Sequence, residues 1–285
     1  MLRRCIYPML WLYILSNSGP LAAHADDKPA DTLVIIDVVD WLSPAHQATH
    51  QASVLQKILA NLTIPHQIQQ ITRNRARMLV REHPTACMPW LLKTPERLQD
   101  FQFSVPYMAE NALQLVVRDN TPLAQTLHQQ RQAGPVRLGE LLLQRRPPIL
   151  GIETNRSYGQ KTDQLLSELQ HLPAIYTRTS SSNNPAELIP MLQRGFLDII
   201  IEYEIVAKEH SNELAFFPFE ETEAFQLSHF ACSNTEDMAR LLPALNQSIQ
   251  MLGQDEEFQQ LMLLSIPEHF KQQALQYLRE AQQKP

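Results

Sequence analysis

The 285-residue chain is 44% hydrophobic and 19% charged, which is enough apolar side chain to bury a sizeable core and too apolar for a disordered polymer. Its 24 lysines and arginines against 30 aspartates and glutamates give a net charge of −6, which offers no broad attraction to nucleic-acid phosphates or anionic lipid. None of its 7 glycines is arranged as a GxGxxG or a GxxxxGKS/T loop, so the common phosphate cradles for dinucleotides and nucleotides are excluded.

Arg3 and Arg4 precede an apolar run over about 6–15, and a polar stretch then ends in Ala23-His24-Ala25. This is the pattern of a secretory signal peptide over 1–25 with cleavage after Ala25. The run is well short of the roughly 20 residues that span a bilayer. The mature chain then carries 22 basic against 30 acidic side chains and is expected in the periplasm. Of the 3 cysteines, Cys5 lies in the signal. Cys87 and Cys232 remain as an even pair in an oxidising compartment and are expected to form a disulfide, the alternative being two buried thiols.

Along the mature chain, 33–38 reads as a strand covered on both faces, interrupted only by Asp37. Over 45–62 the apolar positions Ala48, Ala52, Leu55, Leu59 and Leu62 recur at three or four and predict a helix. A weak strand ends near Ile71, a short helix covers 74–82 and a short strand 85–88, and a loop rich in turn residues leads to a strand at 113–117. Strands follow at 149–153 and 174–178 around a helix at 157–169. A further helix starts at Asn184-Pro185 and ends at Gly195. Strands at 197–201, 214–217 and 225–231 precede helical segments at 236–252 and 255–282, the last broken at Pro267. Alternating strands and helices in two blocks predict an α/β fold of two lobes, each a mixed sheet flanked by helices, with a ligand cleft between them.

Two stretches carry a resemblance. Thr94-Pro95-Glu96-Arg97 with Phe101-Gln102-Phe103-Ser104-Val105-Pro106-Tyr107 resembles the "TxxR … FSxPY" signature of type II periplasmic solute-binding proteins of the polar amino-acid family, and Gly195-Phe196-Leu197-Asp198 resembles that family's "GxxD". The chain looks closest to a poorly characterised proteobacterial branch of it. The resemblance implies lobe 1 over 26–119 and 226–285, lobe 2 over 120–225, and two crossings acting as the hinge. It also implies a non-enzymatic receptor without cofactor or metal. Such a receptor captures a small anionic or zwitterionic solute for an inner-membrane ABC permease, or for a sensor, and works as a monomer without nucleic acid.

Under that resemblance Arg97 is the carboxylate clamp, suited to it by a guanidinium fork that makes two charge-assisted hydrogen bonds. The alternative is a surface arginine paired with Glu96 or Asp100. Ser157 is placed at a helix start, where a hydroxyl and backbone N–H groups favour an anion, or serves as a plain N-cap with Gln160. Arg156 and Tyr107 join the expected ligand contacts, and Trp41 and Trp90 follow strands at the cleft mouth. The family's serine positions are Trp90 and Leu92 here, and its acidic ligand to an α-ammonium group becomes Tyr203. Strand alternation sends Tyr203 to one face and Glu202 and Glu204 to the other.

Glu153, Glu202 and Glu204 are the candidate acids if the fold hosts a dehydratase-type enzyme instead. His46 and His50 stand at i, i+4 without further metal-ligand partners and read as a solvated helix face. Glu220, Glu221 and Glu223 read as a solvated acidic surface near the hinge.

Overall fold

The apolar run after residue 32 forms β1 (Leu33–Asp37), and all five residues are buried. The reason is visible in the computed structural model, which describes residues 31–38, 42, 50–179 and 188–283. Alternate side chains of a strand point to opposite faces, and both faces of this one are covered. Leu33 and Ile35 join a core with Val54, Leu55 and Ile58 of α1 (His50–Ala60). Beyond β2 (His66–Gln70), Val34 and Ile36 pack with Ala76 and Val80 of α2 (Arg73–Glu82). The expected signal segment, Trp41, His46, the start of the helix expected from 45 and Asn184-Pro185 all lie outside the described residues.

β3 (Ala86–Leu91) lies parallel to β1. The following stretch, expected as loop, contains two short strands, β4 (Phe101–Phe103) and β5 (Met108–Asn111). Both pair antiparallel with the late strand β11 (Phe225–Ser233). The FSxPY stretch therefore has a structural task. Ser104 N donates to Phe230 O and the Ser104 hydroxyl accepts from Phe230 N at 2.9 Å, while Tyr107 N donates to Ser228 O. The first sheet runs β2-β1-β3-β11-β4, with β5 on β11.

The chain then crosses to a second sheet. β6 (Gln114–Arg118) is followed by α3 (Pro122–Arg131) and α4 (Leu138–Leu142). β7 (Leu150–Glu153), α5 (Gln160–Leu169) and β8 (Ile175–Arg178) come next. After them lie α6 (Ile189–Gln193), β9 (Ile199–Glu202), α7 (Glu204–Lys208) and β10 (Leu214–Phe217). Their strand order is β10-β6-β9-β7-β8, with β7 parallel to β8 and β9 and β6 antiparallel to its neighbours. β6 thus belongs to the second sheet, although the expected lobe edge at 119 falls after it. Gly195, at φ +78°, ends α6 as expected. Phe196 N bonds Met191 O and Gly195 N bonds Leu192 O, the Schellman pattern that a glycine accommodates without strain.

After β11 the chain closes the first lobe with α8 (Glu236–Leu252), α9 (Glu256–Met262) and α10 (Lys271–Gln283). Met238, Leu241, Leu245, Phe258 and Leu278 complete the core over β1, β3 and β11. Cys87 and Cys232 are direct partners across the β3–β11 ladder and form the expected disulfide, with Cα atoms 4.0 Å apart. No helix among the described residues is long and apolar enough to cross a membrane.

Candidate functional site

The two lobes meet where strands of both sheets end. On the first lobe, the register between β11 and β3 shifts between His229 and Ala231, so Pro89 and Trp90 together stand opposite Phe230. This bulge holds Trp90 at φ +64°, a left-handed conformation that bulky side chains rarely adopt and that concentrates at functional sites. Tyr107 braces it from below. The Tyr107 hydroxyl accepts from Trp90 N at 2.9 Å, and its ring meets the indole edge-on at 5.2 Å and Phe230 at 4.8 Å. Tyr107 is fully buried, so in this arrangement it supports the Trp90 backbone from inside the core. Trp90 is partly exposed.

Arg97 follows β3 in a short 3-10 turn. Its Nη1 donates to Leu92 O at 2.9 Å and its Nη2 crosses to the other lobe, reaching Asn155 O at 3.3 Å. Asp100 does not engage it, being paired with Arg81. Burial lowers the Arg97 pKa from its ordinary value, while Asp163 and Glu96 act to raise it.

On the second lobe, Asn155 sits at φ +62° between β7 and α5, a conformation that asparagine tolerates better than most residues. The helix begins later than expected, with Gly159 at φ +97° as N-cap and no side-chain cap bond. Ser157 is therefore not an N-cap, and no capping box with Gln160 forms. Its hydroxyl donates to Asp163 and accepts from Gly159 N at 3.3 Å. Asp163 also accepts from Tyr158 N at 2.7 Å, and Glu223 accepts from Lys161 N at 3.1 Å. The N-terminal turn of α5 is thus served by the protein's own carboxylates. Burial raises the Asp163 pKa, opposed by the Ser157 and Tyr158 bonds and by Arg97.

This corrects the reading of Glu221 and Glu223 as a solvated surface, while half-exposed Glu220 keeps it. Glu220 pairs with Arg137 at 2.6 Å. Glu221 accepts from Leu138 N and Gly139 N at the start of α4, and Glu223 serves α5. Space there is short, because a Cβ built on Gly159 would lie 2.0 Å from Glu223 Oε2 and 2.8 Å from Gln226 Nε2. Gly159→Ala is expected to lower stability by more than about 1 kcal/mol through strain at positive φ and displacement of Glu223, as read in thermal unfolding. An unchanged melting temperature would contradict this.

Deeper in the cleft, Arg156 and Glu202 form a bidentate pair at 2.7 and 2.6 Å, with side chains 17% and 4% exposed. Burial works against the Arg156 charge, but the charge and hydrogen bonds of Glu202 more than restore it, and its pKa lies well above the ordinary value. The guanidinium lies 5.0 Å from the ring centre of Tyr158, whose hydroxyl accepts from Glu153 N at 2.8 Å. Tyr203 does not continue the strand. It is the N-cap of α7, its N–H donating to Glu202 Oε1 at 2.9 Å. The predicted alternation therefore ends at Glu202, and Glu204 sits on α7, paired with Lys208 at 2.5 Å. The Tyr203 phenol reaches the first lobe and hydrogen-bonds Glu110 at the end of β5.

The structure thus carries Arg97 to Asn155 and Tyr203 to Glu110 across the lobes, with Arg156 and Ser157 next to Asn155 in the chain and Trp90 on the first-lobe side. Trp41 lies outside the described residues. Sequence reasoning missed Glu110, Asn155 and Asp163, and it named Glu223 only as part of a solvated surface. Asp163 lies in the first turn of the observed α5 but a turn further along in the helix expected from Ser157, so its capping place gave no signal. Glu110 and Glu223 had none, because each meets its partners only through the fold.

No protein-family model matches the sequence, and no curated protein is similar to it in sequence. Solved structures match in fold. An amino-acid ABC transporter substrate-binding protein from Streptococcus pneumoniae bound to L-arginine is 16% identical, covering 82% of this chain and 93% of that one with a TM-score of 0.56. A histidine kinase sensor domain with similarity to periplasmic binding proteins is 12% identical, covering 82% and 96% with a TM-score of 0.61. An ancestral amino-acid-binding protein, a precursor of cyclohexadienyl dehydratase, is 16% identical, covering 83% and 96% with a TM-score of 0.57. The chain has the two-lobed periplasmic-binding-protein fold expected from the FSxPY resemblance.

Proposed function

We propose that this chain is an exported solute-binding protein. It captures a small carboxylate-bearing solute between two closing lobes, in the periplasm and as a monomer, and delivers it to an inner-membrane ABC permease. The observation that carries this reading is Arg97, which reaches across the cleft to a backbone carbonyl of the other lobe at 3.3 Å. A ligand carboxylate at that place replaces a long bond to a neutral acceptor by a charge-assisted one, worth about 1.5–3 kcal/mol. A ligand held by both lobes binds the closed arrangement better than the open one, and that difference drives closure.

The charge pattern narrows the solute. Asp163 stands close enough to Arg97 to act on its charge, and Ser157 and Tyr158 N hold it in place. A bare dianion meets repulsion there, whereas a zwitterion sets its carboxylate on Arg97 and its cationic end toward Asp163. Trp90 and Tyr203 wall the site, and Arg156 with Glu202 braces its floor. On this reading lobe 1 comprises 31–111 with 225–283 and lobe 2 comprises 114–219, by sheet membership.

The similarity in fold to a kinase sensor domain favours a second reading, in which the same closure is passed to a membrane receptor. A thermal-shift screen of residues 26–285 against amino acids, dicarboxylates, aromatic acids and short peptides tests the proposal. A zwitterionic carboxylate at a hundredfold excess over its Kd is expected to stabilise the protein by about 2.7 kcal/mol. The absence of any carboxylate among the stabilising compounds would refute it, and turnover of a stabilising compound would make the protein an enzyme.

A further inference from the structure

A pocket of about 380 Å³ lies where the end of β5, the start of α7 and the segment after α9 meet. Tyr203 lines it, but Trp90, Arg97, Arg156 and Ser157 do not. Its walls come from both lobes and are largely apolar. Ile205 of α7 is 42% exposed and Leu264 of the first lobe 58% exposed, and Ile266 and Pro267 extend the same surface. Large aliphatic side chains left open to a shared cavity favour an apolar occupant.

We propose that this pocket is a second ligand site, which takes a small primary alkylammonium compound with its cationic head on Glu110 and its hydrocarbon body against Ile205, Leu264 and Ile266. Three observations select that class. The buried Ser265 hydroxyl has no hydrogen-bond partner among the described residues, and an ammonium group supplies a donor for it. Lys208, the cation of the lining, is already paired with Glu204. An anionic ligand would face both Glu110 and Glu204, and a wholly apolar one would leave Glu110 and Ser265 unserved.

The groups around Glu110 leave room for a cation. Its hydrogen-bond partners there are two hydroxyls, Tyr203 from the second lobe and Ser228 at 3.4 Å from β11. Arg156 favours its charge from a distance and Glu202 opposes it. Burial outweighs these and pushes the carboxyl up to about 7. An alkylammonium ion keeps its proton throughout this range and binds the ionised carboxylate. Its affinity therefore rises with pH as Glu110 ionises, by about tenfold from pH 6 to pH 8. The inference stands independently of what the cleft binds.

The test is a ligand-observed NMR titration of n-hexylammonium chloride into residues 26–285, with n-hexanol and hexanoate alongside. Hexylammonium is expected to bind, more tightly at pH 8 than at pH 6, and hexanoate not at all. Glu110→Gln is expected to weaken binding at pH 8 at least tenfold and to abolish its pH dependence. Ile205→Ala and Leu264→Ala, at exposed positions that do not support the core, are each expected to weaken it severalfold. The proposal is overturned if hexylammonium fails to bind at millimolar concentration or binds no better than hexanol. It is equally overturned if the affinity is insensitive to pH, or if neither aliphatic substitution changes it.

Discussion

Replacing Glu202 by alanine is expected to destabilise the protein by about 3–5 kcal/mol, measured as the loss of unfolding free energy in urea. The pair it breaks is nearly dry, with Glu202 4% exposed and Arg156 17% exposed. Both guanidinium bonds are short, at 2.7 and 2.6 Å. Removing the acid leaves a buried arginine charge over the Tyr158 ring and takes from Tyr203 N the acceptor that starts α7. Glu153, which also favours the Arg156 charge, offsets part of the loss. Removing both charges together, by Arg156→Met with Glu202→Leu, is expected to restore most of the stability, because the desolvation cost of the two ions disappears with their attraction. A loss below about 1 kcal/mol in Glu202→Ala would show that water reaches the pair and that it does not brace the cleft floor.

The second large effect is expected from the disulfide. Cys87 and Cys232 close a segment with a sequence separation of 145, and the chain-entropy model credits a loop of that size with about 5 kcal/mol as an upper figure. Both cysteines are fully buried in the core between β1 and α8, so native packing adds to the effect when they are replaced. The double variant Cys87→Ala, Cys232→Ala is expected to lose about 2–5 kcal/mol, and the wild-type protein is expected to unfold at lower urea in the presence of reductant. Identical urea midpoints with and without reductant would contradict the bridge.

The residues differ in how plainly they announced their places. β1, β9, β10 and α8 were legible because each carries its own pattern, a continuous apolar run or a 3.6-residue stripe, that needs no partner to be recognised. β4 and β5 were not. Phe101–Phe103 and Met108–Asn111 are three and four residues long, and what makes them strands is pairing with β11 more than a hundred residues later. The start of α5 was misplaced because Ser157 looks like a cap, while Gly159 at φ +97° is the residue that turns the chain into the helix. Tyr203 was misassigned by one step of alternation, since the strand stops at Glu202 and a short helix begins.

The cleft shows the same division. Arg97, Trp90 and Tyr203 could be named from local motifs and counting; in the fold Arg97 crosses to Asn155, Trp90 rests on Tyr107 and Tyr203 meets Glu110. Tyr107 was named with them, but its hydroxyl holds the Trp90 backbone from inside the core. Of the carboxylates that set the electrostatics of the junction, Asp163 is held locally by Ser157 and Tyr158, whereas Glu110 and Glu223 act across long sequence distances. Glu223 reaches Lys161 N, and Glu110 reaches Tyr203.

Arg97 is the group proposed to hold a solute between the lobes. A calorimetric titration of the strongest carboxylate found in the thermal-shift screen, into the wild-type protein and into Arg97→Ala, tests this most directly. Loss of two charge-assisted bonds predicts at least about a hundredfold weaker binding in the variant, with Arg97→Lys between the two. Equal affinity in wild type and Arg97→Ala would contradict the account and remove the arginine from the binding site.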